Sequence, residues 1–319
     1  MKFFKNLSVL SLCISLCAMA LPASLQAASP PTRHTVTVAG HSLAVWSRVP
    51  PKPQHALLLL HGRTWSSLPD FDLQVKTFNR SVMQALAERG LAVYALDLRG
   101  YGATPRNANG WNTPNEAAAD VAQTLKWIAQ RHASLDKPAL FGWSMGSMIA
   151  HLTAQQHPEL LSDLILYGYP RDPAAVPTMP PTPDQPPREV NTVERAASDF
   201  ISPEVTPRAV IDAYVAAALK ADPVRADWRG QEQYLALDPA KIKTPTLLIH
   251  GERDPLAPVA AQARVFVALG HPDKQWVILP GGDHAAMIEN THEAFIAAVE
   301  SFVKRPKLHA CDCKKIEGR

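Results

Sequence analysis

Residues Pro138–Ile149 read Pro-Ala-Leu-Phe-Gly-Trp-Ser-Met-Gly-Ser-Met-Ile, and they predict a strand, a sharp turn and a helix in succession. The apolar run Ala139–Phe141 leads into a Gly-x-Ser-x-Gly pentapeptide, and Ser147–Gln156 has the composition of a helix. A serine in this setting occupies a strained turn, where side chains at the flanking glycines would collide with the strand and the helix. The pattern predicts that Ser144 is raised above a sheet edge, and the alternative is a Gly/Ser-rich loop without chemistry.

The composition is that of a globular protein with a large core. The chain has 319 residues, of which 46% are hydrophobic and 19% charged. A net charge of +3 without a basic stripe gives no indication of nucleic-acid binding. The histidines lack metal-ligand spacing, so we expect no metal and no cofactor. No motif specifies an oligomeric state.

Residues 1–27 have the pattern of an export signal. Two lysines precede the apolar run Leu7–Leu21, and residues 25–27, Leu-Gln-Ala, form a cleavage site. A membrane anchor is the alternative, but the run is short for a spanning helix and ends in proline and small residues. We expect a mature chain that starts near Ala28, is periplasmic or secreted, and is not stably inserted in a membrane.

Residues 307–319 form a polar tail. It contains Cys311 and Cys313, which are the only cysteines after signal cleavage, so we expect no disulfide in the folded body. Two cysteines do not make a closed metal site. The last four residues, Ile-Glu-Gly-Arg, resemble a factor Xa recognition sequence and are not expected to contribute to the fold.

Strand and helix patterns alternate along the body. Continuous apolar runs predict strands buried on both faces, and periodic stretches bounded by caps predict helices. The predicted strands are Thr35–Val38, Ser42–Val49, His55–Leu60, Leu91–Leu98, Ala139–Phe141, Leu164–Tyr167, Thr246–His250 and Gln275–Leu279, and the predicted helices are Gln74–Arg89, Pro114–His132, Ser147–Gln156, Val259–Leu269 and Ala285–Lys304. This order predicts an α/β fold with a mostly parallel central sheet, helices on both faces, and active groups at the carboxyl ends of the strands.

Residues 169–243 interrupt this alternation. Eight prolines fall between Pro170 and Pro187, which excludes helix and central strand there. Helical patterns follow, at Thr192–Phe200, Thr206–Ala221 and Trp228–Leu237. We expect a Pro-rich arm and a mainly helical cap, inserted between core segments 28–168 and 244–306. A disordered linker is the alternative, but the aromatic residues of the insertion favour packing.

Taken together, these motifs resemble those of the α/β-hydrolases. The resemblance covers roughly Val36–Phe302. It rests on motifs that follow the family's order: His61-Gly62, Asp97-Leu98-Arg99-Gly100-Tyr101-Gly102, Gly142-Trp143-Ser144-Met145-Gly146, His250-Gly251-Glu252-Arg253-Asp254 and Gly281-Gly282-Asp283-His284. In such enzymes the order serine, acid, histidine implies Ser144 as nucleophile, Asp254 as acid and His284 as base.

The implied chemistry needs each of these groups. A serine hydroxyl is a poor nucleophile and needs a base, histidine titrates in the working range, and the acid fixes the histidine tautomer. The backbone N–H groups of Met145 and Arg63 would form the oxyanion hole. The resemblance therefore implies hydrolysis of a small-molecule carboxylic ester, with a thioester, lactone or amide as further options.

Several neighbouring residues compete for roles. Asp283 adjoins His284, and Asp172 follows the strand after the elbow; both are weaker candidates for the acid than Asp254, which has a strand–Gly–x–x–Asp setting. His61, Trp65 and Trp143 are candidates for substrate contact. For His61 we also expect a role in bracing the loop, and for tryptophans packing is the default. The Asp97-to-Gly102 segment is expected to be a structural turn.

The Arg63 side chain leaves two hypotheses open. Its guanidinium carries five donors suited to a carboxylate, so facing the cavity it would bind an anionic substrate. Facing outward it would be solvated or paired with Asp70 or Asp72.

Two other functions fit the same motifs. A cofactor-free haloperoxidase or perhydrolase would use the same triad with peroxide as the acceptor. A catalytically inactive binding protein on this fold is the third hypothesis.

Overall fold

The computed structural model describes residues 29–76, 78–175 and 181–307, and the chain folds around an eight-stranded sheet. The strands of the described residues are β1 Thr32–Val38, β2 His41–Arg48, β3 His55–Leu60, β4 Leu73–Val75, β5 Phe78–Arg80, β6 Leu91–Leu96, β7 Trp111–Asn112, β8 Ala139–Trp143, β9 Leu164–Tyr167, β10 Asp227–Trp228, β11 Thr246–Gly251 and β12 Lys274–Leu279. The main sheet has the order β1-β2-β6-β3-β8-β9-β11-β12. Its strands from β6 to β12 are parallel, and β1 and β2 extend one edge antiparallel. The expected mostly parallel α/β fold is confirmed.

Helices cover both faces of this sheet. In the described residues they are α1 Ser67–Phe71, α2 Val82–Glu88, α3 Pro114–Arg131, α4 Met145–Gln156, α5 Val193–Ala197, α6 Arg208–Ala221, α7 Val259–Ala268 and α8 His292–Lys304, with 3₁₀ turns at Pro158–Leu160, Pro203–Val205, Gln231–Ala236 and Pro239–Lys241. Helices α3, α4 and α7 contribute to one apolar core, and α2 and α8 to the other. Strand β3 feeds both cores because alternate side chains of a strand point to opposite faces: Leu58 and Leu60 join one, Leu57 and Leu59 the other.

The carboxyl ends of the parallel strands meet at one edge of the sheet. Strand β3 runs into His61, β8 into Ser144, β11 into the turn that carries Asp254, and β12 into the turn that carries His284. The fold thus brings together four segments that are far apart in sequence.

The cap packs against this region through helix α6. Val210, Ile211, Tyr214 and Ala218 are buried on one face of that helix and belong to the same apolar core as α2 and α8. From Pro31 onwards the described residues form one compact unit. The boundaries predicted for arm, cap and core remain predictions, because the cap is continuous with the core, and residues 176–180 of the arm lie outside the described residues.

The predicted helix Gln74–Arg89 is wrong over its first half. The chain forms the hairpin β4–β5 there, and α2 begins only at Val82. Ser81 caps α2 by accepting a hydrogen bond from the Gln84 N–H at 2.9 Å, and its hydroxyl donates to the buried carboxylate of Asp72. This side-chain cap starts the helix where it does, and apolar periodicity does not reveal it.

Two later helices also differ from prediction. The last one, predicted as Ala285–Lys304, begins at His292, since residues 285–291 form turns after Asp283 accepts the N–H of residue 285. The stretch Trp228–Leu237 divides into the end of β10 and a 3₁₀ turn, because Gly230 between them is left-handed at φ 68°.

The expected export signal and the tail with Cys311 and Cys313 lie outside the described residues. Within the described ranges, no helix combines the length and the apolar composition that crossing a membrane requires.

Candidate active site

The serine elbow lies between β8 and α4. Ser144 has φ 54° and ψ −121°, a conformation that costs energy for a residue other than glycine. A side chain at Gly142 would strike the backbone of Gly146, and one at Gly146 would strike the carbonyl groups of Leu60 and His61. This confirms the steric role predicted for both glycines, and the half-buried Ser144 stands at the edge of the sheet.

His284 and Asp254 form a buried pair at the same edge. Nδ1 of His284 lies 2.8 Å from Oδ2 of Asp254, and the two side chains are 6% and 0% exposed. The other oxygen, Oδ1, accepts the backbone N–H groups of Leu256 at 2.9 Å and Ala257 at 3.2 Å. Backbone donors therefore fix the carboxylate, and the carboxylate fixes the imidazole with Nε2 free of this contact.

The serine and the histidine are held by shared neighbours. The Ser144 N–H donates to the Tyr167 carbonyl at 2.9 Å. The next residue, Gly168, lies beside the His284 ring. A Cβ at Gly168 would lie 3.0 Å from Cε1 of His284 and 3.3 Å from Oδ2 of Asp254. The indole of Trp143 donates to the His284 carbonyl at 2.9 Å. Trp143, Tyr167 and Gly168 therefore position the serine turn relative to the histidine turn.

The two competing acids are held elsewhere. Asp172 pairs with Arg264 through contacts of 2.8 and 2.6 Å, and this hydrogen bonding lowers the pKa of Asp172 to about 2. Asp283 accepts backbone N–H groups from Ser202 at 2.5 Å and Ala285 at 2.9 Å. Of the three candidates, Asp254 is the one in contact with the His284 ring.

The two expected oxyanion donors lie on separate elements. Met145 is the first residue of α4, so its N–H has no intrahelical acceptor. Arg63 belongs to the segment 61–67, which we call the oxyanion loop. The Arg63 carbonyl accepts the hydroxyl of Tyr101 at 2.5 Å, and that hydroxyl accepts the indole N–H of the cap residue Trp228 at 2.8 Å. A chain of hydrogen bonds thus holds the Arg63 carbonyl, in the peptide that follows the expected donor, from the cap side.

His61 braces this loop from inside. Its ring is fully buried, Nδ1 donates to the Gly62 carbonyl at 2.8 Å, and Nε2 accepts the Leu98 N–H at 3.1 Å. Burial lowers the pKa of His61 to about 4, so the ring is neutral at physiological pH. Both nitrogens are occupied by backbone partners, which supports the bracing role, and substrate contact by His61 remains a prediction.

The two tryptophan candidates are packed. Trp65 is 2% exposed and donates to the Asp199 carboxylate at 2.7 Å, and Trp143 is 3% exposed with its donor on the histidine turn. Substrate contact by their rings remains a prediction.

The Arg63 side chain is exposed, and its guanidinium lies 3.4 Å from the amide oxygen of Gln231 in the cap. Of the two options for the outward orientation, a solvated guanidinium agrees with the exposed side chain, whereas Asp72 binds Arg48 at 2.7 Å and Asp70 binds Tyr214 at 3.0 Å.

Sequence reasoning missed the contacts between the cap and the oxyanion loop. Asp222, at the end of α6, accepts the Ser66 N–H at 2.8 Å and the Gly102 N–H at 2.8 Å. Asp199 holds the other part of the loop by accepting the indole N–H of Trp65 at 2.7 Å. These carboxylates lie 120 or more residues from their partners, and no local motif marks them.

A cavity of about 430 Å³ borders this loop behind Ser66, between Leu68 and Ala217, and its lining does not include the serine, the histidine or Asp254. In the described part of the chain, no three His, Cys, Asp or Glu side chains are grouped to hold a metal ion.

A known protein family matches the part of the chain that contains Ser144, Asp254 and His284. The model of the family described as serine aminopeptidase, S33, matches residues 51–291. A curated relative, the pimeloyl-[acyl-carrier protein] methyl ester esterase of Aeromonas hydrophila subsp. hydrophila, is 25% identical over 252 residues, which cover 70% of this chain and 88% of that protein.

Solved structures show the same fold. A thermophilic esterase from Thermogutta terrifontis, with malate bound, has a TM-score of 0.61 at 20% identity and covers 86% of this chain and 98% of its own. E-2-(acetamidomethylene)succinate hydrolase also has a TM-score of 0.61, at 18% identity, covering 86% and 100%. At this level of identity the similarity concerns the fold alone.

Proposed function

Because the chain belongs to the serine aminopeptidase S33 family of α/β-hydrolases, we propose that it is a serine hydrolase that cleaves a carboxylic ester. The observation that carries the proposal is the buried contact of 2.8 Å between His284 and Asp254, at the same sheet edge as the strained Ser144. An ester is favoured over an amide because the curated relative, which the match covers over 88% of its length, is a methyl ester esterase.

In the first step Ser144 attacks the ester carbonyl while His284 Nε2 takes its proton. Asp254 holds the imidazole in the tautomer that leaves Nε2 unprotonated, and it stabilises the imidazolium that forms. The negative charge that develops on the carbonyl oxygen is stabilised by the N–H groups of Met145 and Arg63. One such donor is typically worth about 2.7–4 kcal/mol of barrier.

In the second step the tetrahedral intermediate collapses. The imidazolium of His284 gives its proton to the departing alcohol, and the acyl group remains on Ser144 as an ester. Water then attacks this acyl-enzyme with His284 again acting as base, and the acid is released. Each proton that leaves a nucleophile is returned to a leaving group, so the enzyme ends the cycle unchanged.

The test is a panel of p-nitrophenyl esters of graded chain length, run on the mature protein and on Ser144→Ala. The proposal predicts turnover by the mature protein and none above background by a folded Ser144→Ala. Equal turnover by both would overturn it. A matching amide series separates esterase from amidase, and product analysis with and without hydrogen peroxide separates hydrolysis from perhydrolysis.

We also propose that the protein is exported and cleaved near Ala28. The two lysines and the apolar run of residues 1–27 support this. N-terminal sequencing of protein from an exporting bacterial host should find the new terminus near Ala28. Soluble protein with Met1 intact in the cytoplasmic fraction would contradict it.

A further inference from the structure

Three side chains join the cap to the core beside the oxyanion loop. The hydroxyl of Tyr214, in α6, lies 3.0 Å from Oδ1 of Asp70 and 3.1 Å from Oδ2 of Asp199. Asp70 comes from α1, and Asp199 follows α5 in the cap. Tyr214 and Asp70 are fully buried, so water does not replace these contacts.

The two carboxyl groups also hold the loop itself. Oδ2 of Asp70 accepts the Gly62 N–H at 3.3 Å, and Oδ2 of Asp199 accepts the indole N–H of Trp65 at 2.7 Å. Gly62 and Trp65 lie on either side of Arg63, which carries the expected oxyanion donor. The three-residue cluster therefore reaches the loop on both sides of that donor.

A count of hydrogens favours one proton on the cluster beyond that of the tyrosine hydroxyl. A tyrosine hydroxyl has one hydrogen and can donate to one acceptor. With both carboxyl groups ionised, one of its two oxygen–oxygen contacts would contain no hydrogen and would bring two buried acceptors together at a considerable cost in free energy. A carboxylic acid on one side removes this conflict, because it donates to the tyrosine oxygen while the tyrosine donates to the other side.

The surroundings decide which carboxyl group keeps the proton. Asp70 is fully buried, faces Asp199 and Asp222, and has no cation in contact among the described residues; burial, followed by Asp199, raises its pKa well above the usual range. Asp199 is partly exposed and has the indole donor. Burial raises the pKa of Asp199 to about 6, and the hydrogen bonds that Asp199 accepts from Tyr214 and Trp65 favour its ionised form. Asp199 is therefore the ionised member at neutral pH.

We propose that Asp70, as a neutral acid, donates to Tyr214, that Tyr214 donates to the Asp199 carboxylate, and that this relay positions the oxyanion loop from the cap. The proposal rests on the proposed function for its kinetic consequence. Asp70, Tyr214 and Asp199 act here as positioning residues, since they reach the reacting atoms only through the loop.

The kinetic test compares two Tyr→Phe variants. Tyr214→Phe removes the shared hydrogen, and we expect kcat on a p-nitrophenyl ester to fall about tenfold while KM changes less than about twofold, because the oxyanion contact forms mainly in the transition state. Tyr94→Phe is the matched control: Tyr94 is also buried, and its hydroxyl lies 2.8 Å from His132, away from the loop. We expect wild-type kcat and KM for the control.

The protonation state has its own test, which does not depend on activity. The infrared difference spectrum of wild type minus Asp70→Asn at pH 7 should contain the carbonyl band of a protonated carboxylic acid. The corresponding difference with Asp199→Asn should contain a carboxylate band. A carboxylic acid band that depends on Asp199, or none that depends on Asp70, would overturn the relay.

The outcomes separate the two proposals. If the wild type neither turns over esters nor reacts with a serine-directed phosphonate, the proposed function fails and the infrared result still decides the relay. If the wild type is active and folded Tyr214→Phe has the same kcat, the positioning role is wrong. Should Tyr214→Phe not fold, as judged by circular dichroism, Asp199→Asn takes its place with the same expected fall in kcat.

Discussion

Replacement of Gly168 by alanine tests how tightly the His284–Asp254 pair is enclosed. Gly168 has φ +54°, and a Cβ there would lie 3.0 Å from Cε1 and 3.1 Å from Nδ1 of His284, and 3.3 Å from Oδ2 of Asp254. These distances are shorter than ordinary contacts, so the imidazole must retreat by a few tenths of an ångström. The left-handed backbone adds a cost of about 1–2 kcal/mol to the folded state.

The expected effect on catalysis follows from this displacement. Misplacing a catalytic group by 1 Å costs about 100-fold, so a shift of a few tenths should lower kcat about three- to tenfold. Gly40→Ala is the control, because Gly40 has φ +80° and, among the described residues other than its chain neighbours, no atom lies within 4 Å of an added Cβ. It should lose similar stability and keep its kcat.

The assay is steady-state hydrolysis of a p-nitrophenyl ester together with thermal unfolding of both variants. We expect both melting temperatures to fall and only Gly168→Ala to lose kcat. If both variants kept the wild-type kcat, the enclosure of the pair by Gly168 would have no catalytic consequence, and the reasoning would be refuted.

Three further predictions concern ionisable residues. Asp254→Asn should lower kcat by about 10⁴ through the wrong histidine tautomer. Asp172→Asn, which affects an ion pair with Arg264 and a hydrogen bond from the Ala174 N–H, should stay within about twofold; the reverse ranking in a kcat comparison would contradict the assignment of the acid. Asp70→Asn should become more stable relative to wild type by about 1.4 kcal/mol for each pH unit between the unfolded and the folded pKa of Asp70, because wild type takes up a proton on folding in this range and loses stability as the pH rises. Urea unfolding of both proteins at pH 5 and pH 7 measures this, and the same difference in unfolding free energy at both pH values would disprove it. Arg63→Met should change KM equally for neutral and carboxylate-bearing esters, because the guanidinium is exposed and lies against the cap; a selective tenfold rise for the anionic ester would show that it binds substrate.

The sheet and the positions of the main motifs could be predicted from the sequence because both depend on local signals. Buried parallel strands are continuous apolar runs, as in Leu91–Leu96. The elbow glycines are required by backbone contacts that recur wherever a strand turns sharply into a helix at a serine. Each motif could therefore be located before any long-range contact was known.

The errors arise where a side chain far away or a capping group decides the structure. The helix predicted from Gln74 fails because Ser81 caps a later start, and helix α1, which the sequence analysis did not predict, carries Asp70. Asp199 was not singled out either, and Tyr214 was expected only to pack as one of the aromatic residues of the insertion, since their partners lie 134 and 144 residues away. Carboxylates of this kind are identified by three-dimensional proximity alone.

The central claim is that Ser144 forms an acyl-enzyme with His284 as its base, and mass spectrometry of the protein quenched during turnover of a p-nitrophenyl ester tests it most directly. The account predicts an acyl group on the peptide that contains Ser144, decaying as substrate is exhausted, and absent from Ser144→Ala and His284→Ala. Steady ester turnover with the acyl group on another residue, or undiminished acylation of Ser144 in the His284→Ala variant, would contradict it.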